Sequence, residues 1–92
     1  MLDSQTTVLV AEDSRTQSVL FRSLLEKAGY HTVMAVNGRE ALDMIRNMPP
    51  DVVITDLNMP EMNGLELVEA LHADFPSIPV ILATGVGNEE IA

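Results

Sequence analysis

The sequence contains no cysteine and no tryptophan, and it has few basic residues. Without cysteine, disulfides and thiolate metal sites are excluded. Five Lys and Arg stand against fourteen Asp and Glu, which gives a formal net charge of −9. Duplex binding needs clustered basic residues, and one Tyr with two Phe offers no stacking platform for single strands. We therefore expect no nucleic acid partner, but rather a cation or a basic protein surface.

Membrane and export signals are also missing from the sequence. No apolar run approaches the roughly 18 residues of a membrane span. Asp3 stands where a secretory signal would carry positive charge. We therefore predict a cytoplasmic protein with no membrane partner. A length of 92 residues limits the chain to one domain at most.

Short apolar runs alternate with segments of helical periodicity along the chain. The predicted strands are residues 8–11, 31–36, 52–55 and 80–83. The second strand mixes His31 and Thr32 with Val33, which is typical of an edge strand. The fourth has neither a charge nor a bulge residue to protect an edge, which indicates that a neighbouring strand is missing from this chain. The alternation predicts right-handed βαβ crossovers and a parallel sheet with helices on both faces.

Capping residues predict where the helices begin and end. Ser14 is a good N-cap, and Asn37 and Asn63 each have Glu three residues later, as in a capping box. Gly29, Pro49-Pro50 and Phe75-Pro76 are placed to end the three helices. The predicted inward positions are Leu20, Phe21, Leu24, Leu25 and Ala28 in the first helix, Ala41, Leu42, Ile45 and Met48 in the second, and Leu65, Val68 and Leu71 in the third. A fourth helix is predicted to open at Asn88-Glu89-Glu90.

Polar residues follow three of the predicted strands, and these residues are Glu12, Asp13, Asp56 and Thr84. Ligands in open α/β sheets bind outside the carboxyl ends of the strands, so we expect these side chains to converge. Three close carboxylates disfavour each other's ionised forms, and a cation such as Mg²⁺ or Ca²⁺ relieves this. Taken singly, an Asp after a strand is more often a turn former or a helix cap. The acids before the first helix also favour its N-terminus.

Three motifs at these strand ends carry a family resemblance. They are Glu12-Asp13-Ser14, Asp56-Leu57-Asn58-Met59-Pro60 with Gly64, and Thr84-Gly85. From about Thr7 onward the chain resembles the receiver domain of two-component response regulators. The resemblance implies a flavodoxin-like, doubly wound parallel α/β sheet with strand order 2-1-3-4, the fifth βα unit being missing from this chain. It also implies that residues 1–92 form one receiver domain that ends at the start of the fourth helix.

The resemblance further implies roles for individual residues. Asp56 resembles the aspartate that accepts a phosphoryl group from a sensor histidine kinase or a phosphotransfer protein. The implied Mg²⁺ ligands are Asp13, Asp56, Glu12 through a water, and the backbone carbonyl of Asn58. Thr84 is expected to contact the phosphoryl group, and Gly85 to leave room for it. Such a domain is a regulatory phospho-acceptor for an output domain or partner protein, not an enzyme.

The chain departs from the family pattern in one respect that keeps alternatives open. The family has an active-site lysine that ends the fifth strand, and Lys27, the only lysine here, lies far from the strand ends. A non-phosphorylated interaction module, or pseudo-receiver, is therefore the alternative. A phosphotransferase or phosphatase with an aspartyl intermediate is disfavoured by Asn58, where such enzymes have a second acid. A dinucleotide-binding enzyme is disfavoured because residues 11–14 contain no glycine. We also expect self-association through the exposed fourth strand.

Overall fold

The computed structural model describes residues 6–83 and contains a four-stranded parallel sheet. The strands are β1 (Thr7–Ala11), β2 (His31–Ala35), β3 (Val52–Asp56) and β4 (Val80–Ala83). The helices are α1 (Arg15–Lys27), α2 (Gly38–Asn47) and α3 (Gly64–Asp74). The strand order is β2-β1-β3-β4, so the predicted order and the edge position of β2 are confirmed.

The three helices begin at the predicted capping residues. The Ser14 hydroxyl accepts a hydrogen bond from the Gln17 amide at 3.3 Å. Asn63 and Glu66 form a complete capping box, in which each side chain accepts the other's backbone N–H at 2.9 Å. The N-cap of α2 differs from a complete capping box. The Glu40 carboxylate accepts a hydrogen bond at 2.8 Å from the amide of Val36, one residue before the cap residue Asn37. These bonds satisfy amides that have no partner within the helix.

The helices also end close to the predicted positions. Gly29 follows α1 with a φ of 99°, a conformation that glycine adopts without steric cost. α2 ends at Asn47, before the two prolines, and Phe75 caps α3. The predicted fourth helix start lies outside the described residues. None of the helices within residues 6–83 is long and apolar enough to cross a membrane.

The main hydrophobic core lies between the sheet and the α2–α3 pair. It includes Leu9, Val53, Ile45, Leu67 and Leu71, each at most 1% exposed. Burying a side chain of this size stabilises the fold by about 1.5–3 kcal/mol.

The predicted inward face of α3 was wrong in one position and incomplete in another. Leu65 is 54% exposed, whereas Leu67, which the prediction omitted, is fully buried. Gly64, Leu67 and Leu71 form the buried stripe, since Gly64 packs directly against the Asp56 backbone and thereby fixes the rotation of the helix. Met48 was also predicted to face inward but is 79% exposed, because it lies beyond the last residue of α2.

The packing of α1 is looser than that of α2 and α3. No α1 residue is buried, and Val19, Leu20 and Leu24 are more than half exposed. The inward face predicted for α1 is therefore wrong at Leu20 and Leu24, and Ala28 lies just beyond the helix and is exposed. This face of the molecule carries apolar surface that the described residues do not cover.

Candidate functional site

The carboxyl ends of β1 and β3 bring three acidic residues together. Ala11 pairs with Thr55 in parallel register, so Glu12 and Asp56 lie side by side at one edge of the sheet. Asp13 follows Glu12 in the turn to α1. One carboxylate oxygen from each of the three acids lies within 4.8 Å of the other two. The predicted convergence of these carboxylates is therefore confirmed.

Glu12 is the buried member of this acidic cluster, with 6% of its surface exposed. Its backbone amide donates to the Ala35 carbonyl at 2.9 Å, and its Oε2 accepts from the Ser14 amide at 3.1 Å. Burial raises the pKa of the Glu12 carboxyl above its ordinary 4.5, and the negative charges of Asp56 and Asp13 raise it further. The Ser14 hydrogen bond opposes these two causes but does not cancel them.

Asp56 is the last residue of β3 and is partly buried. Its Oδ1 accepts a hydrogen bond from the Leu57 amide at 2.8 Å, which fixes the orientation of the carboxylate. The buried Thr55 hydroxyl donates to the Asp56 carbonyl at 3.0 Å. Asp13, by contrast, is exposed. The cluster thus runs from a buried carboxylate to a solvent-facing one, and a hard cation in water can reach it.

The loop after β3, residues 57–63, folds back onto the strand end. The Gly64 amide donates to the Leu57 carbonyl at 2.9 Å. A Cβ at Gly64 would overlap the Asp56 carbonyl oxygen, so only glycine fits there. Met59 packs into the core, whereas Asn58 is exposed. The loop that carries Asn58 is therefore held against the acidic cluster, and the ligand role of the Asn58 carbonyl remains a prediction.

Other predicted residues have simpler outcomes. Thr84 and Gly85 lie outside the described residues. His31 and His72 are both exposed. Lys27 lies in the last turn of α1, about 18 Å along the helix from Arg15 next to the cluster.

Sequence reasoning missed the backbone groups that hold the acidic cluster. The Ser14 amide on Glu12 and the Leu57 amide on Asp56 are two such groups. Every residue except proline carries an amide, so no residue type marks these donors in a sequence. Gly38, whose contact with the loop after β3 is described below, was missed as well.

The comparisons with known proteins agree with this geometry. Residues 8–92 match the family described as the response regulator receiver domain. The polar-differentiation response regulator DivK of Brucella anthropi is 40% identical over 89 residues, which cover 91% of this chain and 72% of that protein. DivK of Brucella ovis is 39% identical with the same coverage.

Solved structures resemble the chain in fold and in sequence. The signal receiver domain of a signal transduction histidine kinase from Syntrophus aciditrophicus has a TM-score of 0.84 and 40% identity. The alignment covers 90% of this chain and 64% of that one, so this chain spans less than two thirds of the Syntrophus chain. The Vibrio cholerae chemotaxis protein CheY4 has a TM-score of 0.82 and 33% identity, covering 94% of this chain and 73% of its own. The chain belongs to the response regulator receiver domain family.

Proposed function

We propose that this chain is a phosphorylation-controlled signalling domain in which Asp56 accepts a phosphoryl group. The donor is a histidine on a partner sensor kinase or phosphotransfer protein, and the regulated element is an output domain or partner protein. One observation carries the proposal: Asp56 ends a central strand, with the carboxylates of Glu12 and Asp13 within 4.8 Å. Receiver domains are regulatory phospho-acceptors, so the transfer is part of signalling rather than turnover of a substrate.

The chemistry follows from the environment of Asp56. A carboxylate oxygen attacks phosphorus, and an oxygen–phosphorus bond forms while the bond from phosphorus to the donor nitrogen breaks. The electron pair of the broken bond returns to the donor imidazole. The Leu57 amide donates to Asp56 Oδ1 at 2.8 Å, which restricts the rotation of the carboxylate.

The acidic cluster fits a divalent metal ion. Its donors are all oxygens, and three carboxylates so close disfavour one another unless a cation is present. We propose that Asp13 and Asp56 bind Mg²⁺ directly, with Glu12 acting through a water and Asn58 through its carbonyl. Bound Mg²⁺ offsets the negative charge on the transferring phosphoryl group.

The remaining assignments rest on the family pattern. Thr84 is proposed to contact the phosphoryl group and Gly85 to leave space for it. The receiver assignment to residues 1–92 as a single domain and the cytoplasmic location are proposals of the same kind.

The test of the proposed function is where acetyl phosphate modifies the chain in the presence of Mg²⁺. We expect mass spectrometry to locate the label on Asp56 alone, and Asp56→Asn to abolish it. We expect a low yield, because Lys27 is the only lysine of the sequence and lies away from the site. Asp51→Asn is the matched control, since Asp51 is exposed and its carboxylate accepts from the Thr7 amide at the other end of β3. A label on Asp51 or Asp74 would contradict the assignment.

A pseudo-receiver module is the second candidate. It is favoured because the only lysine of the sequence, Lys27, lies away from the acidic cluster. In that case the fold is a docking surface, and the acidic cluster has no phosphoryl group to hold. Beryllofluoride with Mg²⁺ separates the two candidates, because it mimics the phosphoryl group on an aspartate. Changes centred on Asp56, relative to the NMR spectrum with Mg²⁺ alone, support the phospho-acceptor, whereas a spectrum identical to that with Mg²⁺ alone supports the module.

A further inference from the structure

The loop after β3 contacts the beginning of α2 as well as the acidic cluster. Gly38, the first residue of α2, is buried, and its amide donates to the Met62 carbonyl at 3.0 Å. The Arg39 guanidinium lies 4.0 Å from the Glu61 carboxylate, with both side chains exposed. An exposed pair of this kind contributes little, so the buried backbone hydrogen bond is the principal link.

Only glycine fits at position 38. A Cβ there would overlap the Met62 carbonyl oxygen and would lie 2.9 Å from the Met62 carbonyl carbon. Gly38 has no positive φ, so the requirement concerns space rather than backbone conformation. Helix propensity alone would favour alanine at a helical position by about 1 kcal/mol. The atoms in the way belong to the backbone, so a side chain at this position must displace the loop.

The loop has a fixed shape between its two glycine contacts. Glu61 has a φ of 67°, and the Met62 amide donates to the Pro60 carbonyl at 2.8 Å. At its far end, Gly64 packs against Asp56, as described above. The Met62–Pro60 hydrogen bond therefore connects Met62 to the half of the loop that carries Asn58.

We propose that Gly38 is a positioning residue for the metal site, acting through the Met62 carbonyl on the loop that carries Asn58. This inference rests on the proposed function, since it assumes that Mg²⁺ binds the acidic cluster and the Asn58 carbonyl. It adds the start of α2 to the elements that set the geometry of the site.

The test compares Gly38→Ala with Gly29→Ala by measuring Mg²⁺ affinity and unfolding free energy for each variant. Gly29→Ala is the matched control, because φ at Gly29 is 99° but a Cβ there meets nothing within 4 Å. Its strain lowers stability without touching the loop. We expect Gly38→Ala to weaken Mg²⁺ binding by about 10-fold or more, the range for residues that orient metal ligands. Gly29→Ala should leave the Mg²⁺ affinity unchanged.

A measurement on the unmodified chain decides the matter if Gly38→Ala does not fold. During an NMR titration with Mg²⁺, the Gly38 amide and the Met62 carbonyl carbon should shift together, while the Gly29 amide should not. An unmodified chain that binds no Mg²⁺ overturns the proposed function itself. If the unmodified chain binds Mg²⁺ and a folded Gly38→Ala variant binds it with equal affinity, the positioning role alone is overturned. If the variant does not fold, the positioning role is overturned when the Gly38 and Met62 signals of the unmodified chain do not shift during the Mg²⁺ titration.

Discussion

The Glu12 carboxylate is buried beside two other carboxylates, and its pKa is raised above 4.5 by burial and by those charges. The folded chain therefore holds the Glu12 proton more tightly than the unfolded chain does. Between the unfolded and the folded pKa the folded state binds more protons, so stability falls as pH rises through this range. Above the pKa of the folded state, the loss of stability is complete and no longer changes with pH. Ionised Glu12 thus destabilises the metal-free fold.

Glu12→Gln should raise the free energy of unfolding at pH 7 in the absence of Mg²⁺. Glutamine keeps an oxygen that can accept from the Ser14 amide but removes the charge. This increase in the free energy of unfolding should disappear below pH 4.5, where the carboxyl of Glu12 is protonated in both the folded and the unfolded state. Urea denaturation at pH 7 and at pH 4 measures this. Glu69→Gln, on the exposed face of α3, is the control. Equal stability of Glu12→Gln and the unmodified chain at pH 7 would contradict the argument.

Asp13→Asn should weaken Mg²⁺ binding by at least about tenfold, equivalent to about 1.4 kcal/mol of binding free energy. Asp13 is the exposed member of the cluster, so its replacement removes a charged ligand without leaving a buried group unpaired. NMR titration with Mg²⁺ gives the affinity. Asp43→Asn removes one exposed negative charge from α2 and serves as the control for net charge. Unchanged binding in Asp13→Asn would remove Asp13 from the site.

At the scale of elements, the two leucines at the start of α3 provide a matched pair. Leu67 is fully buried and Leu65 is 54% exposed. Leu67→Ala should lower the free energy of unfolding by about 2–5 kcal/mol, because it leaves a cavity in the core. Leu65→Ala should change it by about 0.5 kcal/mol or less. Urea denaturation of both variants checks this, and similar losses would mean that α3 is rotated from the orientation described.

The elements themselves could be predicted, because their signals are local in the sequence. Ser14, Asn37 and Asn63 begin helices by accepting hydrogen bonds from amides three positions later. The rotation of α3 could not be predicted, since it depends on the contact of Gly64 with the Asp56 backbone. That contact joins a helix to a strand, and periodicity within the helix carries no information about it.

At the scale of the molecule, the location of the site was predictable and its framework was not. Parallel strands end at a common edge, so the order of the strands alone brings Glu12, Asp13 and Asp56 together. The contact between Gly38 and Met62 joins the start of α2 to the loop after β3, which is remote from it in sequence. A glycine at the start of a helix has several ordinary explanations, and only the three-dimensional structure reveals the neighbouring carbonyl.

Exposed apolar residues on β4 and α1 have a consequence for the association state of the molecule. Among the described strands, β4 has a neighbour on one side only, and its Ile81 and Leu82 are 54% and 38% exposed. Ile81 lies in the same cross-strand row as Ile54, on the sheet face opposite the α2–α3 core. α1 also carries exposed apolar residues, namely Val19, Leu20 and Leu24. Fully burying an exposed side chain of this size is worth about 1.5–3 kcal/mol. Ile81 and Leu82 are about half exposed, so each one that is covered when two copies pair contributes a fraction of that amount.

We therefore predict that the 92-residue chain self-associates through β4, or is partly unfolded at low concentration. Ile81→Lys should reduce association, because a charge on an edge strand opposes pairing. Val36→Lys is the control, since Val36 is similarly exposed, at 58%, but follows β2 at the opposite side of the sheet. Light scattering across a range of concentrations measures the association state. A compact monomer with a cooperative thermal transition at every concentration would show that β4 and its exposed apolar residues do not drive association.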